Sequence, residues 1–154
     1  MSQPRDGALG AQVPHDILLV EDNAADASLL QSVFRQLGMT HRLHIVVNGL
    51  DALAFLKREA PFESAPRPAL VLLDLNLPKL PGRDVISRVK ADADLRTIPL
   101  MVFSSSAADI DVQESYERGA NAYLVKPFEL QELVKLVKIT IEFWLTRVLL
   151  APVV

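Results

Sequence analysis

Five polar side chains that could take part in catalysis or metal binding each lie at the end of an apolar segment of this sequence. Two acids follow the first such segment, one acid follows the third, and a hydroxyl and an ammonium group follow the fourth and fifth: Glu21, Asp22, Asp74, Ser104 and Lys126. Taken one at a time, they have ordinary structural interpretations as helix caps, turn formers or solvated loop residues. Their repeated position raises the question of which elements would bring them together.

Apolar segments typical of strands alternate along the chain with amphipathic segments typical of helices. The predicted strands are "DILLVE", "RLHIVV", "ALVLLD", "IPLMVF" and "AYLV", and the last helix is expected to run from about Glu129 toward Leu150. This alternation predicts an α/β fold, a doubly wound five-stranded parallel sheet with helices on both faces. The common order of such a sheet is 2-1-3-4-5, and ligands bind beyond the carboxyl ends of its strands. The five polar groups are therefore expected at one edge of the sheet.

The chain of 154 residues is predicted to hold one domain. We predict a disordered N-terminal tail over residues 1–15, a domain with an extended final helix over 16–150, and a C-terminal tail over 151–154.

Composition excludes several classes of protein. The formal net charge of −3 gives no support to nucleic-acid binding, and the absence of cysteine excludes disulfides and thiolate metal sites. The first residues lack the pattern of a signal peptide. Charged residues interrupt the apolar C-terminal region, which argues against a membrane span: Lys135, Lys138, Glu142 and Arg147. We expect a cytoplasmic protein.

Three carboxylates at one edge of a sheet would repel one another unless a cation or protons compensate their charge. Mg²⁺ is a suitable cation because it prefers oxygen ligands and typically takes one or two carboxylates with several waters. A carboxylate can also attack phosphorus and form an aspartyl phosphate. In such a reaction Lys126 would supply positive charge and Ser104 a hydroxyl donor. We therefore predict that Asp74 is a phosphoacceptor.

Four motifs together resemble the receiver domain of bacterial two-component response regulators. They are "ILLVEDN", "LVLLDLNLP", "IPLMVFSSS" and "GANAYLVKPF", and the resemblance covers roughly residues 16 to 145. It implies a flavodoxin-like fold with five helices and phosphorylation of the aspartate by a sensor histidine kinase. It also implies a signalling protein, not an enzyme, that assists its own phosphorylation and dephosphorylation.

The resemblance assigns roles to individual residues. It places Mg²⁺ on Asp22, Asp74 and the backbone carbonyl of Asn76, with Glu21 holding a metal-bound water. Ser104 and Lys126 would contact the phosphoryl group, and Ser104 would form a conformational switch with Tyr123. A half-buried strand aromatic is the plain structural alternative for that tyrosine. The family also commonly has a cis peptide bond between Lys126 and Pro127.

Side motifs narrow the resemblance further. The segments "EDNAAD", "DIDVQESYERGANAYLVKP" and "IEFWLTRVLLAP" resemble single-domain regulators associated with bacterial phytochromes. This similarity implies a bacteriophytochrome, a red-light-sensing histidine kinase, as the partner.

The end of the last helix is predicted to form a homodimer interface. A sheet of five short strands leaves little surface for the apolar residues beyond the middle of that helix, and an exposed apolar patch usually marks an interaction site: Phe143, Trp144, Val148 and Leu149. Two alternatives stay open, since this segment could fold back on its own domain or contact only the kinase.

Other phosphate-handling classes fit the sequence less well. A haloacid-dehalogenase-type hydrolase would need an acid two residues after its nucleophile, where Asn76 stands. A flavodoxin would need a hydroxyl- and glycine-rich loop after the first strand, where the chain is acidic, and no P-loop motif is present. A receiver that is never phosphorylated is the remaining alternative.

Overall fold

The computed structural model describes residues 13–153. Its sheet has the order β2-β1-β3-β4-β5 with every neighbouring pair parallel, which confirms the predicted fold. The elements in chain order are β1 Asp16–Val20, α1 Ala24–Gln36, β2 Arg42–Val46, α2 Gly49–Lys57, β3 Leu70–Leu73, α3 Gly82–Ala91, β4 Leu100–Ser104, α4 Asp109–Glu117, β5 Ala122–Val125 and α5 Leu130–Glu142, followed by a π-helical turn, Phe143–Arg147.

The three central strands are buried on both faces. Alternate side chains of β1 therefore enter two separate cores: Leu18 and Val20 pack with α2 and α3, whereas Ile17 and Leu19 pack with α1 and α5. Nearly continuous apolar runs are what a strand covered on both faces requires. The two cores fix each strand end in place and so fix the edge at which the polar residues lie.

The helices that begin at this edge have local start signals. Asn23 precedes α1 and its side chain accepts a hydrogen bond from the backbone N–H of Asp26 at 3.0 Å. Asn48 does the same for α2, accepting from Asp51 at 2.8 Å. Asparagine at this position satisfies a backbone donor that the helix itself leaves unpaired.

The last helix ends earlier than its sequence pattern suggests. It is α-helical to Glu142 and continues through the π-helical turn, which the Val148 N–H closes by donating to the Phe143 carbonyl at 3.0 Å. Val148 is extended, so residues 148–150, which the sequence assigned to the helix, lie outside it. The extension is therefore real but shorter than predicted.

The chain after the π turn returns to its own domain. Leu150 packs against the core formed with α1 and α5, and Ala151 and Val153 share a groove with Pro14 and Pro99, beside the amino ends of β1 and β4. The predicted N-terminal tail lies outside the described residues up to residue 12, and the predicted C-terminal tail does so at residue 154.

Two further observations concern the backbone and membranes. Within residues 13–153 the cis peptide bond precedes Pro61, not Pro127, so the expectation for Lys126–Pro127 was wrong. No helix in that range is both long and apolar enough to cross a bilayer.

Candidate functional site

Three acids converge at the carboxyl ends of β1 and β3. Val20 and Leu73 are register partners on these adjacent parallel strands, so the residues that follow them emerge side by side. Carboxylate oxygens of Glu21, Asp22 and Asp74 all lie within 4.8 Å of one another. Glu21 is buried, Asp74 is partly buried and Asp22 is exposed. The cluster is thus closed toward the sheet and open toward solvent.

The ammonium group of Lys126 enters this cluster from β5. Its Nζ lies 2.5 Å from Glu21 Oε2, 3.3 Å from Asp74 Oδ2 and 3.4 Å from Asp26 Oδ2. The backbone N–H of Lys126 donates to the Ser104 carbonyl at 2.8 Å, which ties the lysine to the end of β4. Asp26 was not among the residues predicted from the sequence. The available signal was its position three residues after the helix cap Asn23. That position turns Asp26 toward the strand ends.

Burial and hydrogen bonding have opposing effects on the pKa values of the paired residues Glu21 and Lys126. Burial raises the pKa of the Glu21 carboxyl above its ordinary value, although hydrogen bonds from Lys126 and from the Asn23 N–H oppose that shift. Burial lowers the pKa of Lys126, but the hydrogen bond to Glu21 and the charge of Asp74 outweigh it, and the net shift is upward. Lys126 is therefore a fixed positive charge beside Asp74.

The acid cluster fits a hard divalent cation. Three carboxylates lie close enough to share one ion, and the exposure of Asp22 leaves room for the waters that Mg²⁺ retains. Asn76, whose carbonyl is a metal ligand according to the family resemblance, is exposed, and its N–H donates to Asp74 Oδ1 at 3.3 Å. The donor set is all oxygen, which suits magnesium or manganese better than zinc.

The loop after Asp74 is held by two close glycine contacts. A Cβ on Gly82 would lie 2.3 Å from the Asp74 carbonyl oxygen and 2.7 Å from Leu75 Cα. A Cβ on Gly49 would lie 2.2 Å from the Leu80 carbonyl oxygen. The Gly82 N–H also donates to the Leu75 carbonyl at 2.9 Å. Only residues without a side chain let α3 and the start of α2 approach this loop so closely.

Ser104 and Tyr123 are linked through one residue of the β4–α4 loop, Ser106. The buried Ser104 Oγ accepts from the Ser106 N–H at 3.2 Å, and the half-buried Tyr123 hydroxyl donates to the Ser106 carbonyl at 2.9 Å. The Ser106 hydroxyl in turn donates to Asp111 Oδ2 of α4 at 2.6 Å. A displacement of Ser104 would therefore act on both the tyrosine and the start of α4.

The four residues proposed for a dimer interface are not equally accessible. Phe143 is 53% exposed and Leu149 is 78% exposed. Trp144 and Val148 are half-buried, and Trp144 packs against the domain's own core. Ile139, one turn before Phe143, is 66% exposed and was not predicted. Toward the end of α5 and in the π turn, the open apolar surface is thus formed by Ile139 and Phe143.

Comparisons with known proteins agree with one another. The family model described as "Response regulator receiver domain" matches residues 17–138. Response regulator Rcp1 of Synechocystis sp. PCC 6803 is 45% identical over 137 residues, which cover 89% of this chain and 93% of that protein.

Two solved structures have the same fold at substantial identity. The Mn²⁺-bound form of Rcp1 superposes with a TM-score of 0.83 at 45% identity, covering 90% of this chain and all of that one. The phosphorylated cyanobacterial phytochrome response regulator RcpA superposes with a TM-score of 0.85 at 39% identity, covering 91% of this chain and all of that one.

Proposed function

Because the chain belongs to the response regulator receiver domain family, a family of signalling proteins, we propose that it accepts a phosphoryl group from a sensor histidine kinase on Asp74. The observation that carries this proposal is the position of Asp74, which ends a buried strand, contacts Lys126 at 3.3 Å and shares a cation-sized space with Glu21 and Asp22. A carboxylate in that setting is accessible and compensated by positive charge.

Each residue at the site has a separate role in phosphoryl transfer. An oxygen of Asp74 attacks phosphorus, and the bond between phosphorus and the donor's histidine nitrogen breaks with its electron pair leaving on that nitrogen. Lys126 supplies positive charge to the transferred oxygens, and the Ser104 hydroxyl supplies a hydrogen bond. Asp22, Asp74 and the Asn76 carbonyl would hold Mg²⁺, with Glu21 acting through a water. The ion would neutralise charge on the phosphoryl oxygens.

The same groups serve hydrolysis of the aspartyl phosphate. Charges that stabilise the phosphoryl group during its transfer to Asp74 also stabilise it when water removes it, so the protein assists its own phosphorylation and dephosphorylation. Capture of the phosphoryl group by Ser104 would release its contact with Ser106, and Tyr123 would follow. One or two charge-assisted hydrogen bonds are sufficient to shift such an equilibrium.

The proposed partner is a phytochrome-type histidine kinase, acting in the cytoplasm where ATP is available. This proposal rests on the similarity to RcpA, which is described as a cyanobacterial phytochrome response regulator. Phosphotransfer from purified candidate kinases, including any encoded beside this protein, would identify the partner.

We also propose a homodimer formed through the exposed side of α5. Ile139 and Phe143 present an apolar strip and Leu149 is exposed beyond it, whereas Trp144, Leu145 and Leu150 pack on their own domain. Light scattering after gel filtration should give a dimer mass for the wild type and a monomer mass for Phe143→Glu. Val125→Glu, an equal change at an exposed apolar site on β5, should remain dimeric. A monomeric wild type at micromolar concentration would contradict the dimer.

Intact mass spectrometry tests the phosphoacceptor directly. Incubation with a small phosphodonor and Mg²⁺ should add one phosphoryl group to the wild type and none to Asp74→Asn. Asp109→Asn, which removes an exposed acid from the first turn of α4, should label like the wild type. Equal labelling of the Asp74 variant would show that another residue is the acceptor.

A further inference from the structure

Asp26 is a fourth acid at the site, and its carboxylate has no role in capping its own helix. An acid three residues after a helix cap commonly accepts the backbone N–H of the cap residue. Here the Asn23 N–H donates instead to Glu21 Oε1 at 3.1 Å, while the cap bond of the helix runs from the Asp26 N–H to the Asn23 side chain. The Asp26 carboxylate is directed at Lys126, 3.4 Å away.

Lys126 has no hydrogen-bond donor to spare in this arrangement. An ammonium group carries three N–H donors, and three carboxylates lie within contact of Nζ: Glu21, Asp74 and Asp26. While Lys126 still contacts Asp74, an incoming phosphoryl oxygen can take a hydrogen bond from it only when Glu21 or Asp26 releases the ammonium.

Burial determines which contact is released. The Glu21 side chain is 1% exposed, so separating it from the ammonium costs more than separating an acid that water can reach. Asp74 is the attacking group and stays beside the ammonium during the transfer. The Asp26 side chain is 46% exposed and can be hydrated at once when it loses the lysine. Asp26 is therefore the contact that yields.

We propose that Asp26 is a positioning residue that competes with the phosphoryl group for Lys126 and thereby slows phosphorylation of Asp74. The inference rests on the proposed function of Asp74 as phosphoacceptor. Its chemistry adds no step to phosphoryl transfer: Asp26 holds one donor of the lysine in the resting protein and releases it to the incoming phosphoryl oxygen.

The direct test compares phosphorylation rates of Asp26→Asn and wild type with a small phosphodonor and Mg²⁺. Loss of a partly exposed ion pair corresponds to an increase of about two- to five-fold in rate. Asp26→Glu, which keeps the charge, should react no faster than the wild type. Asp109→Asn removes one acid at the same edge of the sheet without touching Lys126, and should leave the rate unchanged.

Two further measurements separate contact competition from other effects. The acceleration should persist at about 1 M salt, where the Debye length is roughly 3 Å and diffuse charge effects are screened. Beryllium trifluoride, a phosphoryl mimic, should bind Asp26→Asn more tightly than wild type by a similar factor in calorimetric titration with Mg²⁺. A role confined to helix stability would not change that affinity.

The outcomes distinguish this inference from the function on which it rests. Equal rates and equal mimic affinities for wild type and Asp26→Asn, with both proteins phosphorylated, would overturn the inference alone. A slower Asp26→Asn, or an equal acceleration in Asp109→Asn, would overturn it as well. A wild type that takes no phosphoryl group would overturn both proposals.

Discussion

Gly82→Ala is predicted to damage the fold and the site through a single steric contact. The new Cβ would meet the Asp74 carbonyl oxygen at 2.3 Å, Leu75 Cα at 2.7 Å and the Asp74 carbonyl carbon at 3.1 Å. All three neighbours are backbone atoms, so no side-chain rotation relieves the contact. Relative to a comfortable separation of about 3.5 Å, the two segments must move apart by about 1 Å.

That displacement has two measurable consequences. Overpacking of this kind costs about 1–3 kcal/mol, and we expect the upper end because the backbone must move. For a chain of this size a loss of about 3 kcal/mol lowers the melting temperature by roughly 6–12 °C. Misplacing the reacting carboxylate by about 1 Å lowers the rate of phosphorylation roughly 100-fold. Thermal unfolding by circular dichroism and mass-spectrometric labelling measure the two effects.

Gly38→Ala is the matched control for this prediction. Gly38 has φ of +61°, and a Cβ there would meet no atom within 4 Å. Alanine in the left-handed conformation costs about 1–2 kcal/mol, so the control should melt lower but label at the wild-type rate. A Gly82→Ala protein with wild-type melting temperature and labelling rate would refute the reasoning, as would equal loss of labelling in the control.

Three further predictions test separate parts of the structure. Asp22→Ala should weaken Mg²⁺ binding in calorimetric titration, because a proposed ligand is lost; unchanged affinity would contradict the metal site. Lys126→Met should lower the free energy of unfolding by about 3–5 kcal/mol, and adding Glu21→Gln should restore part of that loss because it removes the most deeply buried of the charges left without the lysine. Finally, the Arg42 hydrogen bond lowers the pKa of Asp16 to about 2; the resulting stabilisation is present above the ordinary aspartate pKa and disappears as pH falls through about 2. Because Arg42 is largely exposed, Asp16→Asn should lower the free energy of unfolding by only about 1 kcal/mol at pH 7, and a difference that persists at pH 2 in urea titrations would contradict this explanation.

The fold was predictable because its signals repeat along the chain. The strands are mostly apolar runs of about the same length, and most connections between strands and helices are short, so only a few sheet arrangements are possible. The gathering of Glu21, Asp22, Asp74 and Lys126 followed from the same premise, since parallel strands end at one edge. Position after a strand was enough to place these side chains without knowledge of any contact.

Residues that act within helices and loops were not predictable in this way. Asp26 reaches Lys126 only because α1 starts at a particular rotation, which the Asn23 cap fixes, and Ser106 joins Ser104 to Tyr123 through backbone atoms. The end of α5 was missed for another reason: its sequence continues in helical pattern, but packing of the last residues on the domain favours a π turn.

The return of the chain after the π turn has a practical consequence for labelling this protein. Val153 lies in a groove with Pro14 and Pro99, at the amino ends of the strands, whereas Asp74 and Lys126 occupy the carboxyl ends. A fluorescent protein fused to the chain beyond Val153 would begin near the amino ends of the strands. It would leave the path of the phosphodonor to Asp74 clear. Because Val148 is extended, α5 does not continue into such a fusion, and a non-helical segment would join the two. The label would report where the protein is and remain insensitive to rotation of α5.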